Sequence, residues 1–362
     1  MVREVDFLME KYDLLHEVGA GTFGKVWKAV DKSSQEVVAI KKLVRQRFHS
    51  REECLSLREI KALRILRHHP NIVSLKRVIR VGTSLYLVFE YMESNLFQVM
   101  RSRKYPFSED EVTKWVFQVF QGLRYMHEKG YFHRDLKPDN LLVSGGLIKI
   151  GDMGSAKRIN SSSPNASLIM SLWYRPPEVI LGSKNYSYQV DLWAMGVIMA
   201  ELLMLTPLFP GRNVSDQMSM ICSILGTPTA ESWPQGLVLA QASNYQYPQF
   251  PGVDLSMLLP TANDNAISLI KSLCSWDPSK RPTASEALKH PFFHGCYKIS
   301  QSLPLPTLHD KAGVIDVDDQ IPNKNDKIVD NPIWKSKYGP IGKKIATTTS
   351  VDQLQPNAFG DF

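Results

Sequence analysis

The sequence has few of the features that mark secreted and membrane proteins. Its 362 residues include only four cysteines, none in a CxxC pair, and the N-terminal MVREVDFLMEKYDLL lacks the apolar stretch of a signal peptide. The longest apolar run, LWAMGVIMAELLMLTPLF, is interrupted by Glu201 and Pro207, so it predicts a buried helix and not a membrane span. We therefore expect a soluble protein of the cytoplasm or the nucleus, with reduced thiols and no membrane partner.

A strong charge of one sign is also missing. The net charge of +7 is modest and spread along the chain, which gives no support for a nucleic-acid partner. Basic clusters such as KRVIR and RSRK are typical of solvated faces, although such a surface could also receive acidic or phosphorylated segments. With 43% hydrophobic residues the chain can bury a large core, and its length favours two lobes or domains.

The hydrophobic pattern changes near residue 92. Before that point, alternation or β-branched enrichment predicts five strands, in YDLLHEV, KVWKAVD, EVVAIKKL, VSLKRVIR and LYLVFEY. Between them, REECLSLREIKALRIL has helical spacing, and after Glu93 long amphipathic helices follow. The pattern predicts an α+β fold with a small β-rich N-lobe (residues 12–91) holding one main helix, and a larger helical C-lobe (residues 93–294). Residues 90–93 would connect the two.

The composition changes again near Cys296. Residues 295–362 are polar, mixed in charge and without sustained periodicity, which predicts a flexible C-terminal tail. Isolated apolar residues such as Ile333 and Trp334 leave open the alternative that the tail docks on the body.

A glycine-rich segment, VGAGTFGKV, lies between the first two predicted strands. Dinucleotide-binding domains share its GxGxxG spacing, but there the glycines should open a helix. A loop between two strands instead favours a flap whose backbone amides cover phosphates, with valines against a flat base. The candidate nucleotide-binding residues are Val18, Gly19, Ala20, Gly21, Thr22, Phe23, Gly24, Lys25 and Val26.

A lysine inside an apolar strand is the next candidate. In VAIKK, Ala39 and Lys41 share one face, and an inward ammonium needs a partner. Glu59, on the predicted helix that follows, can supply the carboxylate. The pair would leave the ammonium directed at phosphate oxygens, whereas the alternative is an ordinary surface lysine.

The segment YFHRDLKPDNLLV places Asp135, Lys137 and Asn140 on one loop fixed by Pro138. The carboxylate can accept a hydroxyl proton, the ammonium can neutralise a γ-phosphate, and the amide oxygen can bind a metal. His133 is expected to support this loop from within. A polar helix-capping loop would not explain why these three residue types occur together.

Asp152 follows the predicted strand LIKI, in the triplet Asp-Met-Gly. Such triplets are commonly only turns. A carboxylate delivered beside Asn140, however, completes an oxygen-rich site for Mg²⁺, a cation that prefers such ligands. Gly154 would allow the sharp backbone path that follows. The glycine loop, Lys41 and these carboxylates occur in the order of the protein-kinase pattern.

The chain resembles a eukaryotic protein kinase over residues 12–293. Downstream segments agree with the resemblance, namely WYRPPE, DLWAMGVIMAEL and WDPSKRPTASEALKHPFF. In the family, Glu178 pairs with the arginine at position 281, and Asp191 braces the catalytic loop. PLFPG and ILGTPT are similar to the branch that holds cyclin-dependent and mitogen-activated kinases.

Four segments are similar to the male germ cell-associated kinase group, whose plant members are often labelled cyclin-dependent kinase F. They are CLSLREIKAL, FEYMESNLFQVM, GYFHRDLKPDN and FPGVDLSMLLP. The helix that bears Glu59 lacks the PSTAIRE-type sequence that cyclins grip, which argues against a cyclin requirement.

The resemblance implies an ATP- and Mg²⁺-dependent serine/threonine kinase acting on protein substrates. Asp135 would accept the substrate hydroxyl proton, Lys137 would stabilise the transferring phosphoryl group, and Ser171 would support both. Arg175 resembles the arginine that lets this branch prefer proline just after the target residue. Phe89 would narrow the pocket behind adenine. The remaining implied adenine contacts are backbone groups of Glu90 and Met92.

The chain departs from the family pattern in its activation segment. Met153 replaces the usual phenylalanine, which an unbranched thioether can mimic, and PPE replaces APE. Ala166 and Leu168 occupy the positions where relatives carry a phosphorylated Thr-x-Tyr. Ser167, or the serines at 161–163, could substitute and would require an upstream activating kinase. These departures also motivate an alternative, a pseudokinase scaffold that binds nucleotide and partners without turnover.

Arg134 is the residue that receives the activating phosphate in relatives. Two arrangements are open here. A phosphate on Ser167 could pair with Arg134, or the segment could pack without phosphate through Leu168, Ile169 and Met170. We expect the second, because three consecutive apolar residues gain from burial.

Overall fold

The first lobe contains a six-stranded sheet in the computed structural model, which describes residues 8–21, 24–43, 47–161, 165, 170–296 and 317–320. The spatial order is β1-β2-β3-β5-β4-β11, where β11 is Val317–Gln320, and strands β1 to β5 pair antiparallel. Their bounds are Tyr12–Gly21 (β1), Gly24–Asp31 (β2), Val37–Leu43 (β3), Leu75–Val81 (β4) and Ser84–Glu90 (β5). The predicted N-lobe strands are therefore confirmed.

The helical segment of this lobe forms two helices and not the single predicted one. They are α1 (Arg51–Ser56) and α2 (Arg58–Leu66), separated at Leu57, whose ψ of 135° is extended. The Ser50 side chain caps the start of α1 by accepting a hydrogen bond from the Glu53 amide. At the other end of α1, the Leu57 amide donates to the Cys54 carbonyl oxygen. The extended residue re-aims the chain, so that α2 begins one residue before Glu59.

The second lobe is helical, as predicted. Its helices are α3 (Leu96–Arg101), α4 (Glu109–Glu128), α5 (Pro177–Ile180), α6 (Gln189–Met204), α7 (Val214–Leu225), α8 (Pro234–Ala242), α9 (Leu255–Leu258), α10 (Asp264–Leu273) and α11 (Ala284–Leu288). A capping box of Ser108 and Glu111 starts α4. Every residue of α6 from Val190 to Leu203 is buried, which confirms the predicted core helix. Within the described ranges, no helix has the length and apolar content needed to cross a bilayer.

Short strands at the lobe junction position the candidate site. The strands β6 (Ser94–Asn95), β8 (Leu141–Ser144) and β9 (Leu147–Ile150) form one sheet, and β7 (Tyr131–Phe132) pairs with β10 (Lys157–Arg158). Because Leu141 lies opposite Ile150 in the β8–β9 hairpin, the residue before β8 and the residues after β9 meet at one end. This brings Asn140 close to Asp152.

Part of the predicted tail is ordered on the first lobe. Val317–Gln320 forms β11, which runs parallel to β4 at the edge of the six-stranded sheet. Its partner strand contributes the buried residues Val78, Ile79 and Val81. The prediction of a tail without regular structure is thus wrong for these four residues, since backbone pairing and not periodicity holds them. Ile333 and Trp334 lie outside the described residues.

The cysteine thiols are buried and form no disulfide among the described residues. They belong to Cys54, Cys222, Cys274 and Cys296. Burial raises the pKa of Cys222 and of Cys274 to about 12, so both stay protonated thiols near neutral pH. They serve as packing groups of the core.

Candidate active site

Lys41 lies between two carboxylates. Its ammonium is 2.8 Å from Glu59 Oε1 and 3.0 Å from Asp152 Oδ1. Burial alone would lower the pKa of Lys41, but the two carboxylates raise it above its ordinary value. The lysine is therefore a fixed cation, and the predicted contact with Glu59 is present. The contact with Asp152 joins the N-lobe to the residue predicted to hold metal.

The glycine-rich flap consists of the end of β1 and the start of β2. Gly21 lies opposite Gly24, where a β-carbon would meet the Lys42 carbonyl oxygen at 1.8 Å and φ is 151°, so only glycine fits. Val18 is 37% exposed, and Val26 lies opposite Lys41 on β3. Thr22 and Phe23 lie outside the described residues. Gly19 and Ala20 belong to β1, and the remaining candidate, Lys25, forms an exposed ion pair with Glu17 at 2.9 Å.

The candidate adenine pocket is lined from β3 and β5. Ala39 lies opposite Phe89, and both are half-buried. The Glu90 amide donates to the Ser74 carbonyl oxygen at 3.1 Å, so the Glu90 carbonyl oxygen is the backbone group that could accept from a base. Met92 follows in the connection between lobes and is half-buried.

Asp135, Lys137 and Ser171 form a compact hydrogen-bonded group. Asp135 Oδ1 accepts from the Ser171 amide at 2.8 Å and from its hydroxyl at 2.9 Å. Lys137 Nζ donates to Ser171 Oγ at 3.0 Å and lies 3.4 Å from Asp135 Oδ2. The two hydrogen bonds to Oδ1 fix the orientation of the Asp135 carboxylate, which could then accept a proton from a hydroxyl held nearby.

Asn140 and Asp152 offer oxygen atoms at one end of the β8–β9 hairpin. The Asn140 side-chain amide donates to the Asp135 carbonyl oxygen at 2.8 Å, so its side-chain oxygen is the atom that could face a cation. Burial raises the pKa of Asp152, but Lys41, His133 and the Gly154 amide together lower it by more, so the net shift is downward. An ionised carboxylate plus an amide oxygen fits Mg²⁺, which protein groups commonly hold together with phosphates and water.

The loop that carries Asp135 is braced from beneath. Asp191, 1% exposed, accepts from the backbone amides of His133 and Arg134 at 2.8 and 2.9 Å. It also contacts His127 Nε2 at 3.0 Å. His133 Nε2 reaches the Gly151 carbonyl oxygen at 2.8 Å, so the histidine links the loop to the backbone just before Asp152. The expected internal support is present.

In the turn after β9, the unusual backbone conformation is at Asp152 and not at Gly154, where it was predicted. Asp152 adopts the left-handed conformation with φ of 51°, whereas Gly154 has no positive φ. A β-carbon at Gly154 would lie 3.3 Å from Asp152 Oδ1 and 3.7 Å from Glu59 Oε2, so glycine leaves room for the two carboxylates. Met153 is fully buried in the main core and fills the apolar site expected for it.

The activation segment is fastened by Asn165. Its side-chain oxygen accepts from Lys157 Nζ at 2.7 Å, and its side-chain amide donates to the Tyr186 carbonyl oxygen at 2.6 Å. Its backbone amide bonds to the Lys184 carbonyl oxygen at 3.2 Å. Arg134 Nε donates to the Ser155 carbonyl oxygen at 2.6 Å. The three hydrogen bonds of Asn165 hold the middle of the segment.

Several predicted features of this segment fall on residues outside the described ranges. Ala166, Ser167, Leu168 and Ile169 lie outside the described residues, as do the serines at 162 and 163. Met170, the last residue of the proposed apolar contact, is 5% exposed and packs in a small buried cluster.

Sequence reasoning missed two residues of the site. One is Asn165, whose signal was hidden because a polar residue in a serine-rich segment is typical of any loop. The other is Lys149, which alternation places on β9 but whose partner, the Glu90 carboxylate, is distant in sequence. The expected pair of Glu178 with Arg281 is present, with two contacts of 2.7 Å.

Comparison with known proteins agrees with this geometry. The family model "Protein kinase domain" matches residues 12–293. The chain is 52% identical over 307 residues to Cyclin-dependent kinase F-4 of Oryza sativa subsp. japonica, covering 85% of this chain and 65% of that relative. It is 42% identical over 346 residues to Serine/threonine-protein kinase MAK of Homo sapiens, covering 92% and 55%.

A third relative extends the comparison. Serine/threonine-protein kinase ICK of Mus musculus is 44% identical over 311 residues, covering 84% of this chain and 49% of its own length. The chain thus spans 65% or less of the length of these three relatives. They belong to the groups that the sequence resembles, and the predicted bilobal fold is confirmed. By the match over residues 12–293, the chain belongs to the protein kinase family.

Proposed function

We propose that this protein is a serine/threonine protein kinase that transfers the γ-phosphoryl group of ATP to protein hydroxyls, with Mg²⁺. The observation that carries the proposal is the closeness of Lys41 to Glu59 and Asp152, at 2.8 and 3.0 Å. A cation held by a carboxylate on α2 positions phosphates, and the second carboxylate is ready for metal. The printed names of the matched relatives, which include serine/threonine-protein kinases, support the same activity.

In this mechanism the protein places groups rather than forming covalent bonds with the substrate. The glycine flap would cover the phosphates, and Asn140 and Asp152 would hold Mg²⁺, which neutralises charge on the phosphate oxygens when bound. Asp135 would orient the substrate hydroxyl and accept its proton, while Lys137 would stabilise charge on the transferring group. Ser171 holds both side chains in register through its hydroxyl.

We also propose a preference for proline immediately after the target residue. Arg175, 8% exposed, donates through Nη2 to the Met170 carbonyl oxygen at 2.5 Å. A carbonyl occupied in this way accepts poorly from a substrate N–H group. Proline has no N–H group to leave without an acceptor, so a Ser-Pro or Thr-Pro substrate would lose nothing at this position.

The test is phosphate transfer from radiolabelled ATP to two peptides that differ only in Ser-Pro against Ser-Ala. The matched control enzyme is Asp135→Asn, which keeps size and removes the proton acceptor. We expect transfer by the wild type, faster on the Ser-Pro peptide, and at least about 100-fold less by the variant. Nucleotide binding without transfer in both enzymes would instead identify a pseudokinase scaffold. Equal rates on the two peptides would contradict the proline preference alone.

A further inference from the structure

The outer edge of β4 is occupied by residues from far along the chain. β11 lies parallel to it, with Val317 opposite Val78 and Gln320 opposite Val81. We propose that the β4 edge is a strand-addition site for an extended acidic segment, and that its occupant in this protein is its own residues 317–320.

Charge favours an acidic occupant at this edge. β4 has the sequence LKRVIRV, with three basic residues, whereas β11 has the sequence VDDQ. The Asp318 carboxylate lies 3.2 Å from Lys11 Nζ, just before β1. Burial lowers the pKa of Arg77, but Tyr12, Asp31 and Asp318 outweigh it and raise the value. Asp318 therefore lies beside Lys11 and near Arg77, at the register of the β4–β11 pairing.

The backbone supplies the other part of recognition. An edge strand presents unpaired N–H and C=O groups that can pair with any extended chain. Parallel pairing by β11 satisfies those groups of β4 along Val78–Val81. β11 also packs against α1, the helix that leads through Leu57 into α2. The occupant thus contacts the structure immediately preceding Glu59, and an extended segment without carboxylates would lose the contact with Lys11.

Hydrogen–deuterium exchange of the full chain tests the site. In a parallel strand alternate residues donate to one neighbour, so Asp318→Pro with Asp319→Pro removes at least one donor to β4. The matched control is Asp326→Pro with Lys327→Pro in the same tail. We expect the β4 amides that face β11 to exchange at least about tenfold faster in the first variant, whereas those that donate to β5 should change less. The control variant should match the wild type, and β5 amides serve as an internal reference.

A peptide added in trans tests the occupant. A labelled copy of residues 313–322 should bind the Asp318→Pro/Asp319→Pro variant at least about tenfold more tightly than the wild type, whose tethered segment competes. Charge reversal in the full-length chain tests the contact between Lys11 and Asp318. Asp318→Lys should speed the exchange of the β4 amides, and the double variant Lys11→Asp/Asp318→Lys should restore their protection. Unchanged β4 exchange in the double-proline variant, or equal peptide binding by variant and wild type, would overturn the proposal.

Discussion

The Lys149 ammonium contacts both carboxylate oxygens of Glu90, at 2.8 and 2.7 Å. Glu90 ends β5 where the chain leaves the N-lobe, and Lys149 lies on β9 in the C-lobe. The same carboxylate accepts from the Ser74 amide at 2.7 Å. One side chain therefore joins β4, the connection between lobes and the strand that leads to Asp152.

Replacing Lys149 tests the strength of this link. Lys149→Met keeps most of the apolar stem but leaves the Glu90 carboxylate partly buried without its cation, so we expect a loss of about 2 kcal/mol in the free energy of unfolding. Urea denaturation measures it. Glu90→Gln should lower the free energy of unfolding by less in the Lys149→Met background than in the wild type. Additive losses would show that the two residues do not interact.

Lys41→Met should remove phosphate transfer while the protein stays folded. The substitution keeps volume and deletes the cation between Glu59 and Asp152, so we expect a fall in kcat/KM of at least about 100-fold. The matched control is Lys42→Met, because this neighbouring ammonium instead lies 5.3 Å from the Tyr86 ring centroid. Wild-type turnover in Lys41→Met, in protein with an unchanged circular dichroism spectrum, would exclude the assigned role.

Met153 should tolerate replacement by phenylalanine. The side chain is fully buried, so a larger ring must repack its neighbours at a cost of about 1–3 kcal/mol in unfolding free energy. Activity should nevertheless be kept, since the residue provides only apolar volume below Asp152. Steady-state kinetics at a temperature well below the midpoint of unfolding provide the measurement. Loss of activity in folded Met153→Phe would mean that this pocket differs from that of relatives with phenylalanine.

Asn165 should determine whether the activation segment holds without phosphate. Asn165→Ala removes the bridge from Lys157 to the Tyr186 carbonyl oxygen, so we expect kcat to fall several-fold with little change in KM for ATP. Asn165→Asp keeps an acceptor for Lys157 and should retain more activity. Each enzyme, together with Ser167→Ala, is assayed before and after phosphatase treatment. A large loss on treating the wild type, absent in Ser167→Ala, would instead indicate a phosphate-dependent segment.

Glu201 should make the free energy of unfolding decrease as the pH rises. Burial raises its pKa from 4.5 to about 7, and the Tyr174 hydroxyl donates to it at 2.7 Å. Between these values the folded protein keeps a proton that the unfolded chain releases. The contribution of this group to the unfolding free energy is therefore fully present below pH 4.5 and decreases up to pH 7, by about 3 kcal/mol at most. Glu201→Gln should flatten urea-derived stability over this window, and an unchanged slope would exclude Glu201 as its source.

The N-lobe strands and the lobe division follow from local patterns in the sequence, and the residues of the site follow from those patterns together with the resemblance to protein kinases. Lys41 and Asp135 could be predicted because their residue types are unusual in their surroundings. The break at Leu57 could not, because helical spacing continues across it. Nor could the link from Lys149 to Glu90, or the pairing of β11, since each depends on contacts between segments far apart in the chain. Backbone pairing in particular leaves little trace in side-chain periodicity.

The strand order of the N-lobe bears on how the protein is synthesised. β1 to β5 come from residues 12–90, whereas β11 comes from residues 317–320, after the whole C-lobe. Because a chain emerges from the ribosome N-terminus first, the five-stranded sheet can pair while its sixth strand is still unmade. Throughout translation of the C-lobe, the β4 edge is then open to strands of other nascent chains. Slower translation of the C-lobe should therefore increase co-translational aggregation of the N-lobe.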